Sequence, residues 1–137
     1  MVERAPSVVV PVVPSIIDIR ATENFIKDLM GLARVRRGDA RVGIVANKVR
    51  VSMPAYQPFL RFLDSLQIKL LTRLLDSDMY LKAAESGVGI FEMDPLASAA
   101  EREQFMPIVE WADPDYKSRA NKVIELSRPA WASGRTF

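Results

Sequence analysis

The residues best placed to do chemistry are Asn47 and Lys48, which fall at the end of the apolar run "RVGIVANKV". A β-branched run of this kind reads as a strand of a parallel sheet, expected over residues 41–46. Ligands of open α/β sheets bind beyond the carboxyl ends of the strands, where Asn47 would sit. Its carboxamide offers a donor and an acceptor side by side, matching the N6 and N7 edge of adenine. Asn is also a common residue for turning the chain after a strand. From spacing alone that plainer role is the stronger reading. The guanine-reading form of an Asn-Lys pair has Asp two positions after the Lys. Arg50 stands there instead, which argues against guanine.

Little else in the chain is reactive. It contains no Cys and no His, which excludes thiolate nucleophiles, disulfides, Cys or His zinc sites and a His general base. A phosphate loop needs closely spaced glycines whose N–H groups cradle the phosphates, with a Lys to neutralise them. Gly87 and Gly89 lack a third glycine and a lysine, and helix termination accounts for them more simply. Arg34, Arg36, Arg37, Arg41, Lys48 and Arg50 form one basic cluster with only Asp39 among them. Lys117, Arg119, Lys122 and Arg128 form a second. Either could meet a phosphodiester backbone, although a charge run is more often a solvated face. Net charge is +2, so attraction to nucleic acid would have to be local. Aromatic residues are not interleaved with the bases, so stacking on single strands is not indicated.

The elements that must position these groups follow from hydrophobic periodicity. With 137 residues, 49% hydrophobic and 26% charged, the chain fits one domain with a real core. Its apolar runs fall far short of the roughly 20 residues that span a bilayer. Neither a signal peptide nor a membrane span is visible, and a cytoplasmic protein is the expectation. "SVVVPVV" reads as a strand buried on both faces that ends or bulges at Pro11. "SIID" has the form of a capping box before a helix with Phe25, Leu29 and Leu32 on its inner face and Gly38 closing it. A second helix carries Phe59, Leu60, Phe62, Leu63 and Leu66, after Pro54. "IKLLT" reads as a third strand, then Asp76 and Ser77 cap a helix closed by Gly87. "GVGIFEM" reads as a short strand. Ser98 and Glu101 form another capping-box pattern, before a helix that Pro107 should kink or split. Asp113-Pro114 starts a last helix with Tyr116, Ala120, Val123 and Ile124 inside. The expected fold is α/β: a mainly parallel sheet flanked by helices, one domain over residues 1–127, then a mobile tail over 128–137.

Four stretches in order carry a resemblance. "VVVPVVPSIIDIRATENFI", "VGIVANKV", "LLTRLLDSDMYLKAAESGVGIFEMDP" and "SAAEREQFMPIVE" resemble the C-terminal half of ParA-type partition ATPases, within the ParA/MinD group of deviant Walker A proteins. Each motif is weak alone, and their order and spacing make the set more specific. The resemblance implies a partial P-loop NTPase-like domain of the SIMIBI type. It also implies an ATP-sandwich homodimer on nonspecific DNA that positions plasmids, chromosomes or other cargo with a partition partner protein. By position, Asn47 matches the family asparagine that contacts adenine, with Lys48 beside it. Pro14 lies at the strand end beside the nucleotide, and Thr72 and Arg73 near a second adenine-side loop. Lys117, Arg119 and Lys122 become DNA-binding candidates, with Arg36 and Arg37 from the other cluster.

The departure from the family is large. The glycine-rich loop with its lysines, the switch aspartate and the Walker B aspartate are not found, so the reading is a fragment or a diverged half-domain. No catalytic residue or metal ligand is assigned. The family's ATP and Mg²⁺ are not expected to bind tightly to this chain alone. The competing reading is a non-enzymatic interaction module on the same scaffold, without nucleotide chemistry.

Overall fold

β-branched residues dominate the two strands that found the sheet. In the computed structural model, which describes residues 5–127 (side chains through 122), "SVVVPV" is β1 (Ser7–Val12) and "RVGIVANKV" is β2 (Arg41–Val49). They run parallel, Ser7 beside Arg41 and Val12 beside Ala46. β3 (Lys69–Leu75) joins the other side of β2, also parallel, giving a three-stranded sheet in the order β1-β2-β3. β2 is therefore the central strand, and Ile44 and Ala46 are fully excluded from solvent.

Helices cover both faces. α1 (Ile16–Gly31) and α3 (Tyr56–Ser65) bury Ile26, Leu29, Tyr56, Phe59 and Leu63 against Val10, Val12, Ile44 and Ala46, forming the main core. α5 (Ala99–Ala112) packs on the other face, where the Thr72 hydroxyl donates to the Gln104 carbonyl at 2.7 Å. A short α2 (Ala33–Arg36) follows α1, α4 (Asp78–Glu85) follows β3, and α6 (Tyr116–Ser127) comes last. No helix among the described residues is long and apolar enough to cross a membrane. Residues 128–137, expected to form a mobile tail, lie outside the described residues, as do the side chains of Val123 and Ile124.

Several local expectations are corrected. β1 is an edge strand with Pro11 exposed and Val9 half-buried, so it is not buried on both faces. Pro6 O accepts from Arg41 N, which turns even-numbered residues of β1 toward β2 and odd-numbered ones outward. Pro11 thus sits where a missing N–H costs no ladder bond. Phe25 is 47% exposed, because α1 turns Ile26 and Leu29 inward instead. α1 stops at Gly31 rather than near Gly38, since Leu32 adopts an extended ψ of 137°. Ser15 is the N-cap of α1 but makes no side-chain cap bond.

"GVGIFEM" holds a 3-10 turn (Ile90–Glu92) instead of a strand. Its backbone is satisfied otherwise: Gly89 N donates to Glu92 Oε2 at 2.6 Å, and Arg102 donates to the carbonyls of Phe91 and Met93. The Ser98–Glu101 capping box does not form either. Ser98 Oγ donates to Asp94 O, and Glu101 takes the Ser77 hydroxyl at 2.6 Å. Pro107 lies within α5 without splitting it.

β2 and β3 carry two compensating irregularities. Ile44 pairs with Leu70 but Val45 with Thr72, which leaves Leu71 as an extra residue on β3. Gly43 makes room: a Cβ there would lie 2.8 Å from Leu71 Cδ1. Between Ala46 and Val49 the extra residue is on β2, which restores the original register.

The burial contrast gives a stability prediction. Phe59→Ala should lower unfolding free energy by about 3–5 kcal/mol, while Phe25→Ala should cost under about 1 kcal/mol. Urea denaturation of both variants checks it, and equal losses would place the core wrongly.

Candidate functional site

Asn47 and Lys48 lie inside β2, one strand-end later than the sequence predicts, because the pair forms the second bulge. Lys48 has φ of 51°, a left-handed conformation that is uncommon outside glycine. The Asn47 side chain supports it, with Oδ1 accepting from the Lys48 N–H at 3.0 Å. The plain turn-forming role is therefore real. It leaves Oδ1 one lone pair and leaves the Nδ2 donors without a partner among the described residues.

Beyond the bulge the carboxyl ends of β2 and β3 open into a cleft of about 570 Å³. Asn47, Lys48 and Leu74 come from the strands, Asp76 and Ser77 from the turn after β3, and Tyr80 and Leu81 from α4. Phe105 reaches it from α5. Its size suits a nucleobase or another small planar ligand, with apolar walls and a few polar groups. Phe105 is itself fixed by an edge-to-face contact with Phe91, the ring centroids 5.9 Å apart.

The electrostatics of the cleft lean acidic. Arg50 holds Asp76 at 2.5 Å, while Asp78 stands exposed in the first turn of α4. Ser77 caps that helix, its Oγ accepting from Met79 N at 3.2 Å. The Tyr80 hydroxyl oxygen is buried and has no hydrogen-bond partner among the described residues. Burial disfavours its phenolate and Glu101 adds repulsion, so its pKa lies above the ordinary tyrosine value.

Of the five residues expected around a nucleotide, the structure gathers Asn47 and Lys48. Pro14 is buried in the turn between β1 and α1. Thr72 is engaged by α5. Arg73 points to the opposite face, where Nη1 donates to the Tyr56 hydroxyl at 3.3 Å beside a separate groove of about 310 Å³. Asp76, Ser77, Asp78, Tyr80 and Phe105 were missed as site residues. A signal existed for the first three: in a parallel sheet, the cap after β3 must lie at the same end as Asn47. None marked Phe105, which arrives from the far face.

The basic clusters are largely paired. Arg37 bridges Asp39 at 3.1 Å, Lys117 bridges Glu110 at 3.0 Å, and Arg119 bridges Asp113. Arg36 and Lys122 are exposed. Arg41 donates to Ser7 Oγ and to the Trp111 carbonyl, with its guanidinium 4.6 Å over the Trp111 ring. Arg41 and Lys48 mark opposite ends of β2, roughly 23 Å apart. The first cluster is therefore not one patch.

Among the described residues no three Asp or Glu side chains gather into a metal site. No step is assigned to Mg²⁺ through them. No protein-family model matches the chain, and comparison with curated proteins finds no match.

Tyr80 supplies a pH prediction. A raised folded-state pKa contributes stability that is full below the unfolded value near 10 and lost as pH rises through the folded one. Tyr80→Phe should therefore retain more stability than the parent chain above about pH 10. At pH 7 it should escape the loss of about 1 kcal/mol usual when a hydrogen-bonded hydroxyl is removed. Denaturation midpoints from pH 7 to 11 check both; parallel pH curves would contradict the assignment.

Proposed function

We propose that this chain is the C-terminal part of a ParA-like ATPase for partitioning or cargo positioning. It supplies the base-side wall of the nucleotide site and part of a DNA or dimer surface. One observation carries the reading: Asn47 closes the central strand of a parallel sheet and lines a cleft of base-sized dimensions at its carboxyl end. The order of sequence motifs resembles that family, and a SIMIBI-type relationship is part of the proposal. The bulge gives the arrangement a physical logic. It turns a strand residue out of the ladder so that its amide can serve a ligand.

Chemistry on the phosphates does not belong to these residues. Phosphoryl transfer rests on a backbone cradle, a lysine and a metal that hold charge in line. No segment of this sequence has the glycine spacing of such a cradle. Base contacts alone supply a few kcal/mol, which corresponds to about millimolar affinity.

The alternative, a non-enzymatic interaction module, is favoured by one specific observation. Asp76 and Asp78 line the cleft, and most of the candidate DNA-contacting bases already have carboxylate partners.

Two experiments separate these readings. Titration of the purified chain with adenosine should show millimolar binding that Asn47→Ala weakens by roughly 5- to 100-fold. Phosphate release from Mg-ATP should stay at background with or without DNA. Adenosine binding indifferent to Asn47→Ala would leave the interaction module standing. For the DNA surface, replacing Lys117, Arg119 and Lys122 with Ala should weaken duplex binding equally across sequences and flatten its salt dependence. Binding that ignores salt would return these residues to a solvated face.

A further inference from the structure

The cleft that holds Asn47 carries more acid than base. Lys48 and Arg50 stand against Asp76, Asp78 and Glu101, which accepts the Ser77 hydroxyl behind the rim. Arg50 is already committed to Asp76, its Nε donating at 2.6 Å as well. That leaves Asp78 without an ion-pair partner among the described residues, and Lys48 as the one cation of the lining. Sites for polyphosphates are built the opposite way, with free N–H groups at a helix N-terminus and converging Lys or Arg. Here the nearest helix N-terminus, that of α4, is closed: Ser77 occupies Met79 N, and Asp78 places a carboxylate in the first turn. The remaining walls, Leu74, Leu81 and Phe105, are apolar.

We infer that the cleft discriminates by charge, taking an uncharged purine nucleoside in preference to the corresponding nucleotide. This rests on the base-side reading of Asn47 and adds to it a statement about what the base may carry. The face of the base lies against Phe105 and Leu81, and Asn47 Nδ2 and Oδ1 meet its edge. A phosphate tail attached to that base gains only Lys48 and is repelled by Asp78. One uncompensated carboxylate about 7 Å from a phosphate charge changes affinity roughly threefold per charge in water of low salt. The effect fades as ionic strength rises and the screening length falls below that distance.

The test is a series with adenosine, AMP and ATP, each in EDTA without divalent cation, measured on the whole chain by chemical-shift titration. At low salt, affinity should fall in that order, and the three should converge near 0.5 M salt. Asp78→Asn should narrow the series by roughly threefold per phosphate charge. Asp115→Asn, an exposed acid that is not part of the cleft lining, should leave it unchanged. ATP binding tighter than adenosine, with Lys48→Ala abolishing the advantage, would overturn charge discrimination while leaving the base site intact. Absence of binding by all three at millimolar concentration would remove the base-side reading and this inference with it.

Discussion

β2 is hydrogen-bonded along both edges and covered on both faces, and the other elements are placed by it. A strand in that position cannot carry unpaired polar groups on its backbone or large polar side chains in its middle. "VGIVA" meets both demands, with Gly43, Ile44, Val45 and Ala46 all buried. The small residues matter as much as the branched ones. Gly43 gives space to Leu71, and Ala46 brings the backbone of β2 close beneath the core helices. Arg41 then anchors the start of the strand to both neighbours, through Ser7 of β1 and Trp111 of α5. The end of the strand is left to the bulge.

The bulge joins fold to site. Two extra residues, one on each strand, cancel in register, so β2 and β3 remain paired from Gly43 to Val49. The second forces Lys48 into a left-handed conformation that costs about 1–2 kcal/mol for a non-glycine residue. Asn47 offsets part of this by accepting from the Lys48 N–H. Strain of this kind persists where the surroundings over-determine it, and such positions cluster at binding sites. The same amide that holds the bulge is the one facing the cleft. Turn-forming and ligand-reading are therefore not competing roles for Asn47, since a carboxamide has groups enough for both.

This explains what the sequence disclosed and what it hid. The three strands and the parallel arrangement were legible because β-branched runs alternate with helical periods, a signal that burial itself imposes. The bulge was not. Nothing local distinguishes Asn47-Lys48 as an extra strand residue from the same pair as a turn, because the difference lies in β3's register. "GVGIFEM" misled for a related reason. Its composition suits a strand, but Arg102, from a helix downstream, takes the carbonyls of Phe91 and Met93 and satisfies them without a sheet. Ser98 and Glu101 likewise fit a capping box in sequence. Glu101 instead finds Ser77, on the far side of a loop, and Ser98 is fully buried beneath Arg102. Short motifs record what a residue can do locally, and long-range partners decide which option wins.

The two outer edges of the sheet are handled differently, which bears on where the molecule can meet others. On β3, Gln104 reaches from α5, its Oε1 accepting from Leu75 N at 2.9 Å and its carbonyl from Thr72. That edge is held from within. On β1 the outward residues include Pro11, which offers no donor, so any strand added there loses one ladder bond at its middle. A proline at such a position discourages indiscriminate edge pairing while permitting a partner whose register avoids it. Ile16 and Ile17, 69% and 80% exposed, follow β1 at the carboxyl end of the sheet. Val51 and Leu81 are exposed at the same end, beside the cleft. Polar recognition and apolar exposure thus share one end of the molecule, while Arg41, Trp111 and the ion-paired α6 close the other.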